Sequence, residues 1–301
     1  MMSEQQKGII FAANSYFLWG ILPFYWRLID DINAYEILAH RIIWSFVFMV
    51  ILIIILGKTR VFKEQTIQLL KNKKEAVSLF VAGIVIAFNW GLFIWAVANH
   101  HVLQASLGYY INPLMSILLG MIFMKERFSK MEWTAIILAA IGVLYMTLSI
   151  GEVPYISLLL AISFALYGLI KKNVHMDAIF TILLECLATL PLALIGLWYL
   201  KSIDMSNFGY NIDSGILLFS GILTAIPLIL FTAGATRIPL SLIGFLQYIA
   251  PTLMFIQGVF LYNEEFSTDN LITFAFIWAG LIIYSYTKYQ QYRIQRRKLT
   301  S

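Results

Sequence analysis

The chain has 301 residues, of which 60% are hydrophobic and only 12% charged, with a formal net charge of +5; soluble domains run at roughly 45–50% and about 25%. There are too few polar residues to cover a globular surface, which excludes a soluble enzyme or binding module, and the positive charge has no soluble domain that would present it to nucleic acid. The lone Cys186 lies in an apolar run, so no internal disulfide forms.

A helix needs about 20 apolar residues to cross a hydrocarbon core of roughly 30 Å. Ten such runs are predicted, at 8–27, 36–56, 76–97, 102–124, 131–149, 154–170, 179–200, 215–235, 240–262 and 269–287. The first continues from Lys7 without a cleavage pattern and is read as a retained helix. Very short connections, such as Gly151-Glu152-Val153 and Arg237-Ile238-Pro239, make neighbouring helices antiparallel. Alternate connections divide the basic residues unequally: 18 of the 21 fall in the set that includes both termini, while Arg27 and Lys201 fall opposite and Arg41 lies inside the second span. Basic residues stay on the cytoplasmic side, so both termini are expected there, in a multi-pass protein of the plasma membrane.

In chain order, span one brings Tyr16 and Trp19 to mid-membrane as an aromatic wall suited to an apolar or cationic solute. Span two carries Glu36 and His40 four residues apart on one face, with Arg41 adjacent. These three are candidates for ion coupling or for holding an anionic group, or they simply pair and snorkel at the outer interface. The same trio would serve as acid and base in an intramembrane enzyme acting on a lipid-linked or small substrate, but no buried nucleophile or metal set accompanies it. The segment 57–75 is read as a solvated basic loop, the other reading being a short amphipathic helix on lipid headgroups. Its Gly57-Lys58-Thr59 imitates the end of a phosphate-binding loop, but the first glycine would fall at Leu52 inside a span, so no nucleotide or other cofactor is expected. Asn89 and Trp90 in span three, and Tyr109, Tyr110 and Asn112 in span four, are polar or aromatic groups at membrane depth. They line a cavity or bond between helices. His100 and His101 lack companions at metal-ligand spacing, and no metal site is expected. Tyr167 in span six joins the aromatic candidates. Glu185 in span seven is a second proton-carrier candidate, unless it pairs with Lys171 or Lys172. Gln247 and Tyr248 in span nine complete the substrate-facing set.

Tyr110-Ile111-Asn112-Pro113 recurs 138 positions later as Tyr248-Ile249-Ala250-Pro251, and the register holds through Gly120/Gly258, Glu126/Glu264, Phe128/Phe266 and Gly142/Gly280. Earlier matches are fainter: Ala13, Trp19 and Gly20 with Ala161, Tyr167 and Gly168, and Glu36 with Glu185. A repeat of this length decides architecture. Each half holds five helices, an odd number, so residues 151–301 are expected to insert upside down relative to residues 1–150, within one integral membrane domain. Inverted halves are how many secondary transporters are built, with a site near the midplane. Pro113 and Pro251 each lack an amide hydrogen and free the carbonyls of Tyr109 and Gln247, so matched bends are expected in spans four and nine as a site or a hinge.

These features, with Ser15-Tyr16-Phe17-Leu18-Trp19-Gly20, Glu36-Ile37-Leu38-Ala39-His40-Arg41, Asn89-Trp90, Tyr109-Tyr110-Ile111-Asn112-Pro113 and Gly244 to Phe255, resemble the EamA type of the drug/metabolite transporter superfamily, and within it the RarD branch, whose members are named chloramphenicol-sensitive proteins. The likeness runs from about residue 7 to 288. It implies a ten-helix all-α membrane fold around a central cavity, alternating-access movement of small organic solutes, often outward and often with proton exchange, and a dimer contact at the fifth and tenth helices. A membrane receptor without transport has little loop surface on which to receive partners.

Overall fold

The computed structural model describes residues 2–151, 153–261 and 267–300. Within them every regular element is helical, and ten stretches are long and apolar enough to cross a membrane. The chain is therefore an all-α, multi-pass membrane protein. Glu152, and Asn263, Glu264, Glu265 and Phe266 of the repeated motif, lie outside the described residues.

Several of the crossings start where a side chain caps the first turn of the helix. The first is α1 (Glu4–Ile21), opened by a Ser3/Gln6 capping box and extended by α2 (Pro23–Trp26) and a 3-10 turn at Arg27–Ile29. Helix α3 (Ala34–Ile55) is capped by Asn33. Next come α4 (Thr59–Lys71), α5 (Lys73–Ala98) and α6 (Val102–Phe123). A Ser129/Glu132 capping box starts α7 (Lys130–Ile150), which stops at Gly151 in the left-handed conformation, φ 72°. After α8 (Tyr155–Lys172), Asp177 caps α9 (Ala178–Ser202) and Asn211 caps α10 (Ile212–Ala235). The ninth crossing is divided into α11 (Leu240–Gln247) and α12 (Ile249–Leu261), and α13 (Thr268–Thr300) is the tenth.

The packing runs largely between the first five crossings and the last five. Helix α1 lies on α10, α11 and α12; α3 on α9 and α10; α5 on α8 and α9; α6 on α8 and α11; and α7 on α13. With lipid on the outside, close backbone approach replaces the hydrophobic effect as the force between helices. Gly142 and Gly280 show this: a Cβ on either would come within 2.8 Å of the Thr273 carbonyl oxygen or 2.7 Å of that of Ala135, so both backbones meet where α7 crosses α13. The same pair is tied near its ends by Lys288–Glu132 (2.5 Å) and by the Tyr145 hydroxyl donating to Asp269 (2.7 Å).

One expectation is corrected. Residues 59–71 form a helix rather than a solvated loop, because the few apolar side chains of α4 have protein to dock on. Phe62 packs on Phe180, with ring centroids 5.4 Å apart, and Leu69 is buried with Leu79 and Val174. The two prolines sit in differently assigned stretches of helix. Helix α6 runs unbroken through Pro113, whereas the ninth crossing breaks at Tyr248, one residue beyond the carbonyl that Pro251 frees. There the Tyr248 amide turns to the Phe245 carbonyl at 3.3 Å in a tightened turn.

Candidate functional site

A cavity of about 850 Å³ opens between the two sets of crossings. Pro23, Trp26 and Asp30 at the end of the first crossing, Ala34 at the start of α3 and Asn270 at the start of α13 form its mouth, at the end of the molecule away from Ser3. Toward the opposite end the halves of the chain are joined by polar ties outside the cavity lining. Glu126 accepts the amides of Leu240 (2.7 Å) and Ser241 (3.0 Å), capping α11 from the other half of the chain, and the Lys172 ammonium donates to the carbonyls of Ala235 (3.1 Å) and Ile238 (2.6 Å).

Ten of the residues singled out in the sequence line this cavity: Tyr16, Trp19, Arg41, Asn89, Trp90, Tyr109, Tyr110, Asn112, Gln247 and Pro251. Trp19 packs edge-on against Phe164 (5.8 Å) and tilted against Tyr16 (5.5 Å), and Phe93 packs on Tyr109 (5.6 Å), which gives the wall its aromatic character. Asn89 both lines the space and bonds helices, donating to the Leu160 carbonyl and the Ser163 hydroxyl at 2.9 Å each. The Tyr16 hydroxyl and the amide oxygens of Asn112 and Gln247 are buried without a hydrogen-bond partner among the described residues. Unmatched polar atoms at this depth cost stability and mark places where a solute or water would be accommodated.

The other six sit elsewhere. Tyr248 donates to the Tyr110 carbonyl at 3.3 Å, and Pro113 lies at the crossing of α6 and α11, where its carbonyl oxygen would be 2.6 Å from a Cβ on Gly244. Glu185 is fully enclosed, ion-paired to Lys171 at 2.5 Å and accepting from the Tyr167 hydroxyl at 3.0 Å; Lys171 also donates to Thr181 at 2.9 Å. Glu36 is covered by the segment between α9 and α10, accepting from the Ser206 hydroxyl (2.6 Å) and from the amides of Asn207 (3.0 and 3.1 Å) and Phe208 (3.3 Å). His40 stacks on Phe208 (4.4 Å) and stands 3.9 Å from Glu36.

The trio of the second span is thus divided. A step of one residue turns a helix by about 100°, which carries Arg41 off the Glu36–His40 face and into the cavity. Its guanidinium carbon lies 4.9 Å from the Trp26 ring and 4.8 Å from the Trp90 ring, and its Nε donates to Thr224 at 3.0 Å. Trp26, Phe93, Phe164 and Thr224 were not read as site residues. Trp26, near a span end, has the signature of an interface aromatic, and Thr224 is one hydroxyl in an apolar run; nothing local marks either. Among the described residues no group of histidine, cysteine and carboxylate positions could hold a metal.

A family model described as the EamA-like transporter family matches residues 6–148 and again residues 154–286. The chain is 47% identical to Protein RarD of Salmonella typhi over 93% of this chain and 95% of that protein. It is 42% identical to the uncharacterized transporter YojE of Bacillus subtilis (95% and 96%), and 26% identical to the chloramphenicol-sensitive protein RarD of Pseudomonas aeruginosa (97% and 98%). A solved crystal structure that is 16% identical superposes with a TM-score of 0.68 over 92% of this chain and 96% of its own, a likeness of fold.

Proposed function

This chain belongs to the EamA-like transporter family, and from that premise we propose that it is a secondary active transporter that moves a small organic solute across the plasma membrane by alternating access. The observation that carries the reading is the cavity itself: it is walled by aromatic and polar residues from both sets of crossings, with polar ties between the halves of the chain on the side away from its mouth.

The architecture proposed for this mechanism is a pair of inverted five-helix repeats, 1–150 and 151–301, with both termini cytoplasmic. It is supported by the double match of one family model and by the pairing of helices, which maps onto itself when each crossing is exchanged for the one five places on. In that frame the cavity faces outward, and the Glu126 and Lys172 ties are the inner gate that must part for the inward-facing state. Export in exchange for protons is the proposed direction, with Glu185 and Glu36 as carriers; Pro251 at the break of the ninth crossing is the proposed hinge, and Pro113 its stiffer counterpart.

The proposal is tested with the full chain in proteoliposomes and a panel of labelled amino acids, organic acids, amines and drug-like solutes, chloramphenicol included. Saturable flux of at least one solute is expected, accelerated by a pH gradient. Absence of flux for every solute would remove the transporter reading. A pH profile unchanged in both Glu185→Gln and Glu36→Gln would remove proton coupling through these residues and leave transport standing.

A further inference from the structure

We infer that the cavity is built for an organic anion, a solute with one carboxylate and an apolar or aromatic body, whose carboxylate is held by Arg41. This rests on the transporter reading and names its substrate class.

Arg41 stands seven residues into α3 from Ala34, about 10 Å along the helix axis. A charge at that depth is costly unless it is matched. Among the described residues none of the ion pairs includes Arg41; Asp30, the acid that shares the cavity, stands at the mouth and does not pair with it. What holds the side chain is Thr224 on its Nε and two indole faces. These contacts fix the position of the guanidinium, and among the described residues its two Nη groups have no protein acceptor. A guanidinium offers a planar fork of donors that matches a carboxylate in a bidentate way, and stacking against aromatic rings pre-organises it for that geometry.

The rest of the wall selects the body of the solute. Trp19, Phe164 and Phe93 present apolar ring surface, so a carboxylate on an apolar skeleton has a partner for each of its ends. The charge also belongs to only one half of the molecule. In the register that matches Glu36 with Glu185, the place of Arg41 is taken by Leu190. A cation required merely to build a helix of this repeat would be expected in both.

The test uses purified full-length protein in detergent, with 3-phenylpropionate, its primary amide and 3-phenylpropylamine as probes, read by ligand-dependent thermal unfolding and tryptophan fluorescence. The acid is expected to bind saturably, about ten-fold or more tighter than the amide, as the loss of one charge-assisted hydrogen-bonded contact implies. R41Q is expected to bring the acid down to the level of the amide, and R41K to fall between. Equal affinity for acid and amide in the wild type overturns the inference without any variant, so it remains testable should R41Q fail to fold. Affinity of R41Q for the acid within about two-fold of wild type overturns it as well, as does no binding of the acid at all. Saturable flux of a neutral or cationic solute that the acid does not inhibit would sink the anion assignment and leave the transporter reading intact. Acid-selective binding without flux would do the reverse.

Discussion

Glu36 in the second crossing and Glu185 in the seventh are both buried, yet they are held by different kinds of partner. Glu36, in the first turn of α3, lies close enough to the membrane surface for the segment between α9 and α10 to fold over it with a hydroxyl and two backbone amides. Glu185, two turns into α9, is beyond the reach of any loop and takes its partners from a neighbouring helix, Lys171 and Tyr167 of α8. The contrast teaches that depth decides the partner: near the surface, loop amides serve, while deep in the bundle only another side chain can. One carboxylate therefore fastens a loop and the other joins two helices.

The largest expected effect breaks the deep site. Lys171→Met leaves the Glu185 carboxylate enclosed without its cation, at a cost of about 3–5 kcal/mol, whereas the double variant K171M/E185L removes both charges and should recover most of that loss. Thermal unfolding of the two variants in detergent measures the difference. If single and double variants fall equally, the two charges are not answering each other.

A smaller effect is expected at the shallow site. Glu36→Ala strands the amides of Asn207 and Phe208 and should cost about 1–3 kcal/mol. Its distinctive readout is faster amide hydrogen exchange at those two residues, which the Lys171 variants should leave protected. The mildest change is Ser206→Ala, which deletes one of the hydrogen bonds to Glu36, is worth about 1 kcal/mol and should leave both amides protected. Exchange as fast as in Glu36→Ala would mean that the hydroxyl, and not the carboxylate, holds the segment.

Legibility followed the same division between local and distant causes. The ten crossings could be read because length and apolarity are properties of single segments: the apolar stretches begin and end within a few residues of the predicted runs, although the last helix, α13, continues well beyond its run to Thr300. The tendency of α4 to be helical was visible in Phe62 and Leu69, but the surface that receives them belongs to Phe180 and Val174, more than a hundred positions away. Pro113 and Pro251 show the limit from the other side. An identical residue in a repeated motif lies within one continuous helix in the first place and just beyond a break in the second, a difference that the motif alone does not record. Of the candidate residues, the aromatics and amides of spans one, three, four and nine gather round one cavity, while Trp26, Phe164 and Thr224 join them only through the crossing of helices.

The sequence by itself determined that this chain lives in a bilayer, how many times its apolar runs can cross, and which family it resembles, since composition, segment length and motif spacing are all carried along the chain. Only the tertiary structure decided what each buried charge meets. Glu36 and Arg41 are five residues apart in one helix, and the direction in which each projects places one under a loop and the other between two tryptophans in the cavity. That difference arises from neighbours on α2, α5 and α10, which no local pattern in span two records.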